Sequence, residues 1–158
     1  VPDTIIIASP AGHLKITASL RGVQALSLTD EALSSGVPVH MQPWLRALNA
    51  YFEGRGDLRS IPVDPQGGTE LQRAVWSALR NIPLGETISY TTLAERVDMP
   101  DAVRAVASAC GKNPVGIVIP CHRVLAKDGG FGGYAWGLPV KQQLLELESA
   151  VSALKQAA

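Results

Sequence analysis

The sequence has no excess of charge: 14 basic and 14 acidic side chains in 158 residues give a formal net charge of zero. A basic domain attracts polyanions, so this total taken alone argues against a nucleic-acid partner. Cysteine is scarce. Cys110 and Cys121 are the two, they do not form a CxxC pair, and His13, His40 and His122 are scattered. A structural zinc site needs four close ligands, so no metal is expected. Two cysteines make no disulfide scaffold, and a reducing cytoplasm is the expected compartment. Long hydrophobic runs are missing too: Ile117 to Ile119 with its neighbours is far too short to cross a bilayer. No basic stretch precedes an apolar run at the N-terminus, so no signal peptide and no membrane partner are expected. The chain begins at Val1 rather than Met, as a processed or trimmed protein does.

What is present suffices for a globular fold. Hydrophobic residues make up 46% and charged residues 18%, too apolar a mixture for disorder. A chain of this length buries roughly 70% of its unfolded surface, so no disulfide or metal staple is required.

The chain reads as α+β. Thr4 to Ala8 is β-branched and apolar, Pro10-Ala11-Gly12 is a turn, and Leu14, Ile16 and Ala18 alternate as a half-buried strand does. After Arg21-Gly22, Val23 to Ser27 completes an antiparallel meander. Trp44, Leu45, Leu48, Tyr51 and Phe52 recur at helical spacing up to Gly54. Pro62, Pro65, Gly67 and Gly68 mark a linker, placing a β-rich lobe at 1–68 and a mostly helical lobe at 69–158.

In the second lobe Thr69 and Gln72 form a capping-box signature ahead of the stripe Leu71, Val75, Trp76 and Leu79. Thr91 or Thr92 is expected to cap a short helix through Val97. Asp101 is expected to cap a second helix, to about Cys110 and stopped by Gly111. The pair has a helix-turn-helix outline, though many such pairs only pack. Gly116 to Pro120 reads as a buried strand or extended segment. A glycine-rich loop, Gly129 to Gly137, precedes a last helix from about Val140, with Leu144, Leu145, Leu147, Val151 and Leu154 on its buried face.

Cys121, followed by His122 and Arg123, is the side chain most able to do chemistry. A thiol is nucleophilic as its thiolate, and a neighbouring base or cation favours that form. A bare Cys-His pair is more often packing than chemistry. A carboxylate that orients the imidazole would strengthen the case, and Glu146 and Glu148 are both candidates. Arg104, Lys112, Arg123 and Lys127 lie in a window from 102 to 127 that holds no acidic residue. Such a run suits phosphate contact, or is simply a solvated surface. Ala102, Ala105 and Ala107 would let their helix approach another surface closely.

Taken in order, these motifs match a family. Ile119-Pro120-Cys121-His122-Arg123-Val124 closely resembles the active-site signature of the O6-alkylguanine-DNA alkyltransferases. Glu86 to Tyr90, Arg104-Ala105-Val106, Asn113-Pro114, Gly132-Gly133-Tyr134 and the helix from Lys141 to Glu148 continue the match over roughly 69–148. The resemblance implies single-turnover DNA repair. An O6-alkylguanine, with O4-alkylthymine as a further candidate, is flipped from double-stranded DNA and its alkyl group passes irreversibly to Cys121. It implies His122 as base through a water, Glu148 as its orienting partner, Tyr90 as donor to guanine N3 and Asn113 as organiser of the turn. Arg104 would take the place of the flipped base. The helix carrying Ala102, Ala105 and Ala107 would lie in the minor groove, with Thr91 and Arg123 also on the DNA. The backbone of Cys121, Val124 and Ala135 would read the base, and Tyr134 and Trp136 would line the pocket. The bulk of Trp136 would disfavour large adducts. No cofactor is implied, and a monomer is expected. A hydrolytic Cys-His enzyme with turnover, or a binding module without chemistry, are the competing readings.

Overall fold

The computed structural model describes residues 2–126 and 132–157, with side chains of the last helix through Leu154. Lys127 and the Gly129 end of the glycine-rich loop lie outside the described residues. The chain divides into two compact units, one reaching Gln66 and including Pro114–Val118, the other comprising Gly67–Asn113 and the chain from Ile119 onward.

The first unit is built on an antiparallel meander, β1 (Asp3–Ile7), β2 (His13–Ser19) and β3 (Gly22–Thr29), paired in the order β1-β2-β3. Alternation dictates its faces: Leu14, Ile16 and Ala18 are all but inaccessible while the residues between them are half-exposed. A register shift between Thr17 and Ala18 bulges the β2–β3 pairing. Backbone bridges extend β3 on both sides of its midpoint. Val23 N–H donates to Pro62 O (2.9 Å) and Asp64 N–H to Val23 O (2.9 Å). Leu26 N–H donates to Pro114 O (2.9 Å) and Gly116 N–H to Leu26 O (3.0 Å). A 3-10 turn, Val39–Met41, leads into α1 (Gln42–Phe52), whose Leu48 and Tyr51 join the core.

The buried strand or extended segment expected at Gly116 to Pro120 is a turn instead. All five residues are buried, but Val118 N–H closes a three-residue turn on Gly116 O (2.7 Å) around Ile117, whose φ is +67°. A left-handed φ is rare for a β-branched residue. The apolar run reports burial, and burial alone does not distinguish a strand from a coiled turn.

The second unit is a small helical cluster. The capping box forms as expected: Thr69 Oγ1 accepts from Gln72 N–H (3.1 Å) and Thr69 N–H donates to Gln72 Oε1 (2.9 Å), opening α2 (Glu70–Arg80). β4 (Ile88–Ser89) leads directly into α3 (Tyr90–Arg96). The cap of α3 is Ser89 rather than Thr91 or Thr92. Its Oγ accepts from Thr92 N–H (3.0 Å) because Ser89 ends the strand in the extended conformation that a cap requires. The helix closes in a Schellman motif: Met99 N–H reaches Ala94 O (2.9 Å), Asp98 N–H reaches Glu95 O (3.1 Å), and Asp98 has φ +58°.

The next helix, α4, spans Val103–Gly111 and is not capped by Asp101. Ala102 N–H bonds Met99 O (3.0 Å), so Asp101 sits inside a turn and Ala102 becomes the cap, without a side-chain bond. Thus α3 and α4 realise the helix-turn-helix outline. Trp76 on α2 donates Nε1–H to Ala109 O on α4 (2.9 Å), a buried bond between packed helices. A 3-10 turn, Cys121–Arg123, enters β5 (Val124–Leu125), which pairs in parallel with β4. The last helix, α5 (Leu138–Ala157), buries Lys141, Leu144, Glu148 and Val151. Leu154, expected on that face, is 71% exposed. No helix among the described residues is long and apolar enough to cross a membrane.

Candidate active site

Cys121 follows a sharp bend. Pro120 has φ −82° and ψ 65°, and Cys121 N–H bonds Ile119 O (2.8 Å), an inverse γ-turn. The proline ring fixes the required φ, and the bend turns the chain from a buried run into the 3-10 turn that carries Cys121, His122 and Arg123. Asn113, just past α4, donates Nδ2–H to Ile119 O (2.8 Å), clipping the bend to the end of that helix.

Among the described residues of this unit, His122, Arg123, Lys141 and Glu148 are buried polar or charged side chains. Burying them is unfavourable unless each is paired and hydrogen-bonded. His122 Nε2 donates to Glu148 Oε2 (2.6 Å). Arg123 Nε donates to Glu148 Oε1 (2.7 Å), Arg123 Nη2 to Glu148 Oε2 (3.1 Å), and Arg123 Nη1 to Ile82 O (2.6 Å). Burial pushes the Glu148 carboxyl up, but its bonds to His122 and Arg123 outweigh that and bring it down to about 2. Burial pulls His122 below its ordinary value, against the opposing pull of Glu148. The result is an ionised carboxylate holding a neutral imidazole with its proton on Nε2. The lone pair of Nδ1 is then left as an acceptor, and this buried atom has no hydrogen-bond partner among the described residues.

The choice between the two carboxylates is thereby settled. Glu148 is 1% exposed, whereas Glu146 is exposed and accepts from Gln142 (3.0 Å). The expectation that Arg123 contacts DNA does not hold. The residue is 6% exposed and its guanidinium is engaged by Glu148 and Ile82, leaving no fork for a phosphate.

Lys141 was not singled out by sequence reading. Its ammonium donates to Val124 O (2.7 Å) and Gly133 O (3.2 Å), joining α5 to β5 and to the loop ahead of the helix. Burial lowers its pKa; the two cysteines oppose that. The signal for it is spacing, since Lys141, Leu144, Glu148 and Val151 form one helical stripe in which two members are charged.

Cys121 is part-exposed and its thiol is held below the ordinary value. A hydrogen bond from Cys110 is the largest cause, burial opposes it, and Asn113 and Lys141 add to it. Tyr90, half-buried at the start of α3, is pushed up to about 12 by burial and by the nearby cysteines, so its hydroxyl keeps its proton. Tyr134 is raised in the same way, first by burial, and its ring stands edge-on to His122 at 6.5 Å between centroids. Trp136 lies 6.1 Å from Tyr134 and is half-buried; Ala135 between them is exposed. Val124 is buried, and its carbonyl retains a second lone pair beside the Lys141 bond.

The outer face of α4 is made of Arg104, Ala105, Ser108, Gly111 and Lys112, all exposed, while Val106, Ala109 and Cys110 face the core. Ala102, Ala107 and, on α3, Thr91 are half-buried. The structure therefore presents a flat, small-residue helix face carrying two cations.

Comparison with known proteins places the chain among its relatives. The profile described as 6-O-methylguanine DNA methyltransferase, DNA binding domain, matches residues 70–150. A methylated-DNA–protein-cysteine methyltransferase from Methanosarcina barkeri is 37% identical over 153 residues, covering 90% of this chain and 94% of that protein. The bifunctional transcriptional activator/DNA repair enzyme Ada of Escherichia coli is 40% identical over 152 residues, of which this chain spans 43% of the length; for the regulatory protein ada of Salmonella typhimurium the share is 30%. The crystal structure of Mycobacterium tuberculosis O6-methylguanine methyltransferase superposes with a TM-score of 0.84 at 35% identity, covering 95% of this chain and 94% of that one. A related crystal structure, Mycobacterium tuberculosis OGT in complex with DNA, gives a TM-score of 0.83 at 36% identity, covering 92% of each chain. The chain belongs to the methylated-DNA–protein-cysteine methyltransferase family.

Proposed function

We propose that this chain repairs alkylated DNA by moving the alkyl group of an O6-alkylguanine onto Cys121, once per molecule. The buried Glu148–His122 pair beside the part-exposed Cys121 carries the reading, because it supplies an oriented neutral base whose free nitrogen is Nδ1. The base takes the thiol proton through a water, and Glu148 stabilises the imidazolium that results. The thiolate attacks the alkyl carbon in line; the carbon–sulfur bond forms as the carbon–oxygen bond to guanine breaks. The departing guanine takes up a proton in place of the one lost by the thiol, so the protein ends as a thioether and the base as guanine. Tyr90, protonated at neutral pH, donates to the ring as charge develops on it. The backbone of Cys121, Val124 and Ala135 reads the base, and Tyr134 and Trp136 wall the pocket, with the indole disfavouring bulky adducts.

The substrate carbon is inaccessible within a stacked duplex, so the base is flipped out. The small outer face of α4 fits a minor groove about 6 Å wide, and Arg104 fills the place of the flipped nucleotide. The protein works as a monomer in the reducing cytoplasm, where Cys121 stays a thiol.

Incubation with duplex DNA carrying labelled O6-methylguanine tests this reading. Label moves to the protein up to one equivalent and Cys121→Ser abolishes transfer while keeping DNA binding; repeated turnover, or transfer that survives the substitution, overturns it. Arg104→Ala slows repair in duplex DNA by tenfold or more while barely changing reaction with free benzylguanine. Equal losses in the two assays remove Arg104 from its assigned place.

A further inference from the structure

The mechanism gives His122 and Glu148 their parts and leaves Arg123, the next residue of the same 3-10 turn, without one. The Arg123 guanidinium is anchored on two sides. Nε donates to Glu148 Oε1 (2.7 Å) and Nη2 to Glu148 Oε2 (3.1 Å), while Nη1 donates to Ile82 O just past α2 (2.6 Å). The carboxylate that orients the imidazole is thus itself held by a buried cation. We propose that Arg123 is a positioning residue for the transfer reaction: acting through Glu148, it fixes the carboxylate so that Oε2 accepts the His122 Nε2 proton and Nδ1 is left as the basic atom of the ring.

A glutamate carboxylate turns easily about its last bond, whose torsion has only a broad, two-fold preference. The bond from His122 to Oε2 (2.6 Å) engages one oxygen and does not by itself fix that rotation. The fork of Arg123 does, because its two N–H groups bind both oxygens and favour a shared plane. The bond to Ile82 O ties that fork to the helical cluster as well as to its own turn. Charge acts in the same direction. Glu148 and Lys141 face His122 from α5, Tyr134 stands edge-on from the loop ahead of that helix, and Arg123 adjoins it in the turn. A buried carboxylate alone would favour the imidazolium before any thiol proton is taken. The Arg123 charge offsets that carboxylate and adds to the burial that keeps the resting ring neutral. The burial that withdraws Arg123 from phosphate contact therefore gives it a part in the proton transfer.

The inference rests on the proposed alkyl transfer, and the experiment keeps the two apart. The single-turnover rate at saturating O6-methylguanine duplex is measured across pH for the full chain, for Arg123→Lys and for Arg123→Met, with the duplex Kd measured separately. Arg123→Lys keeps the charge and loses the fork. Its plateau rate is expected to fall about tenfold with Kd unchanged, part of the roughly 10²–10⁴-fold that a positioned general base contributes. Arg123→Met removes the charge as well. Its acid limb is expected to rise by about one pH unit, a loss of about tenfold in neutral imidazole below that limb. A folded Arg123→Lys protein that transfers at the wild-type rate, or a folded Arg123→Met protein with an unmoved acid limb, overturns the proposal. A weakened Kd with an unchanged rate overturns it in favour of a phosphate contact. Lost stability with an unchanged rate per folded molecule reduces Arg123 to an ion pair that holds the fold, and overturns it too. Should neither variant fold, nitrogen NMR of the wild-type ring decides. A neutral His122 with its proton on Nε2 at neutral pH supports the arrangement; an imidazolium, or a neutral ring protonated on Nδ1, overturns it. A wild-type protein that transfers nothing refutes the functional reading instead, whatever the ring shows.

Discussion

The two units solve the problem of charge in opposite ways. In the first, the residues packed under the meander are apolar, and the ion pairs Lys15–Glu31 and Arg55–Glu53 stand in solvent. In the second, His122, Arg123, Lys141 and Glu148 are buried together around one turn. A water-exposed pair is screened and weak, whereas a buried one is fully desolvated and depends on every partner being in place. The difference shows where the chain tolerates substitution and where chemistry has been built in at the expense of that tolerance.

Arg123→Ala is the most damaging way to break the contrast. It removes the guanidinium that pairs with the buried Glu148 carboxylate, and breaking a buried pair in this way costs about 3–5 kcal/mol. Denaturant unfolding is expected to show that loss, while Lys15→Ala in the first unit leaves the midpoint unchanged within error. Loss of the same size at both positions would erase the distinction.

Acid is the next lever. His122 and Glu148 both have folded pKa values below their unfolded ones, so the unfolded state binds more protons and stability falls as pH falls. The His122 contribution fades below its ordinary value of 6.5, and that of Glu148 between 4.5 and about 2. Together they make the melting temperature decline in acid by steps that Glu148→Gln removes from the lower range. A melting temperature that stays constant as pH falls from about 7 to about 3 would contradict this ion-pair arrangement.

The smallest effect sharpens the comparison from the backbone side. Among the described residues, Asp98 in the second unit and Ile117 in the first are the non-glycine residues at positive φ. Asp98 is exposed in the Schellman turn, so Asp98→Gly removes strain without removing a buried side chain and raises stability by about 0.5–1 kcal/mol. Ile117 is 1% exposed, and there the gain in φ is offset by the lost apolar burial. A destabilised Asp98→Gly protein would mean that the aspartate side chain holds the turn.

Local physics was legible in the sequence; partners far along the chain were not. The Thr69–Gln72 box and the three-strand alternation each depend on residues within a few positions of one another, and each appears where the pattern places it. The caps of α3 and α4 moved to Ser89 and Ala102 because the preceding strand and turn, not the identity of Thr91 or Asp101, decide which residue is extended. Arginine reads as surface, yet Arg123 is buried because Glu148, 25 residues on, comes to meet it. The adjacency of Cys121 and His122 was visible. Which carboxylate faces the ring depended on tertiary packing that spacing does not encode.

The short return of Pro114–Val118 to the first unit has a consequence for biosynthesis. The Leu26 backbone exchanges hydrogen bonds with Pro114 and Gly116, so β3 is missing these partners until the ribosome has passed them. By then α2, α3 and α4 are already made. The first unit therefore closes late, after most of the second has been synthesised, and the segment that completes it leads directly to the nucleophile. A nascent chain arrested before that point would leave Leu26 with an open edge, and an open edge invites pairing with another chain.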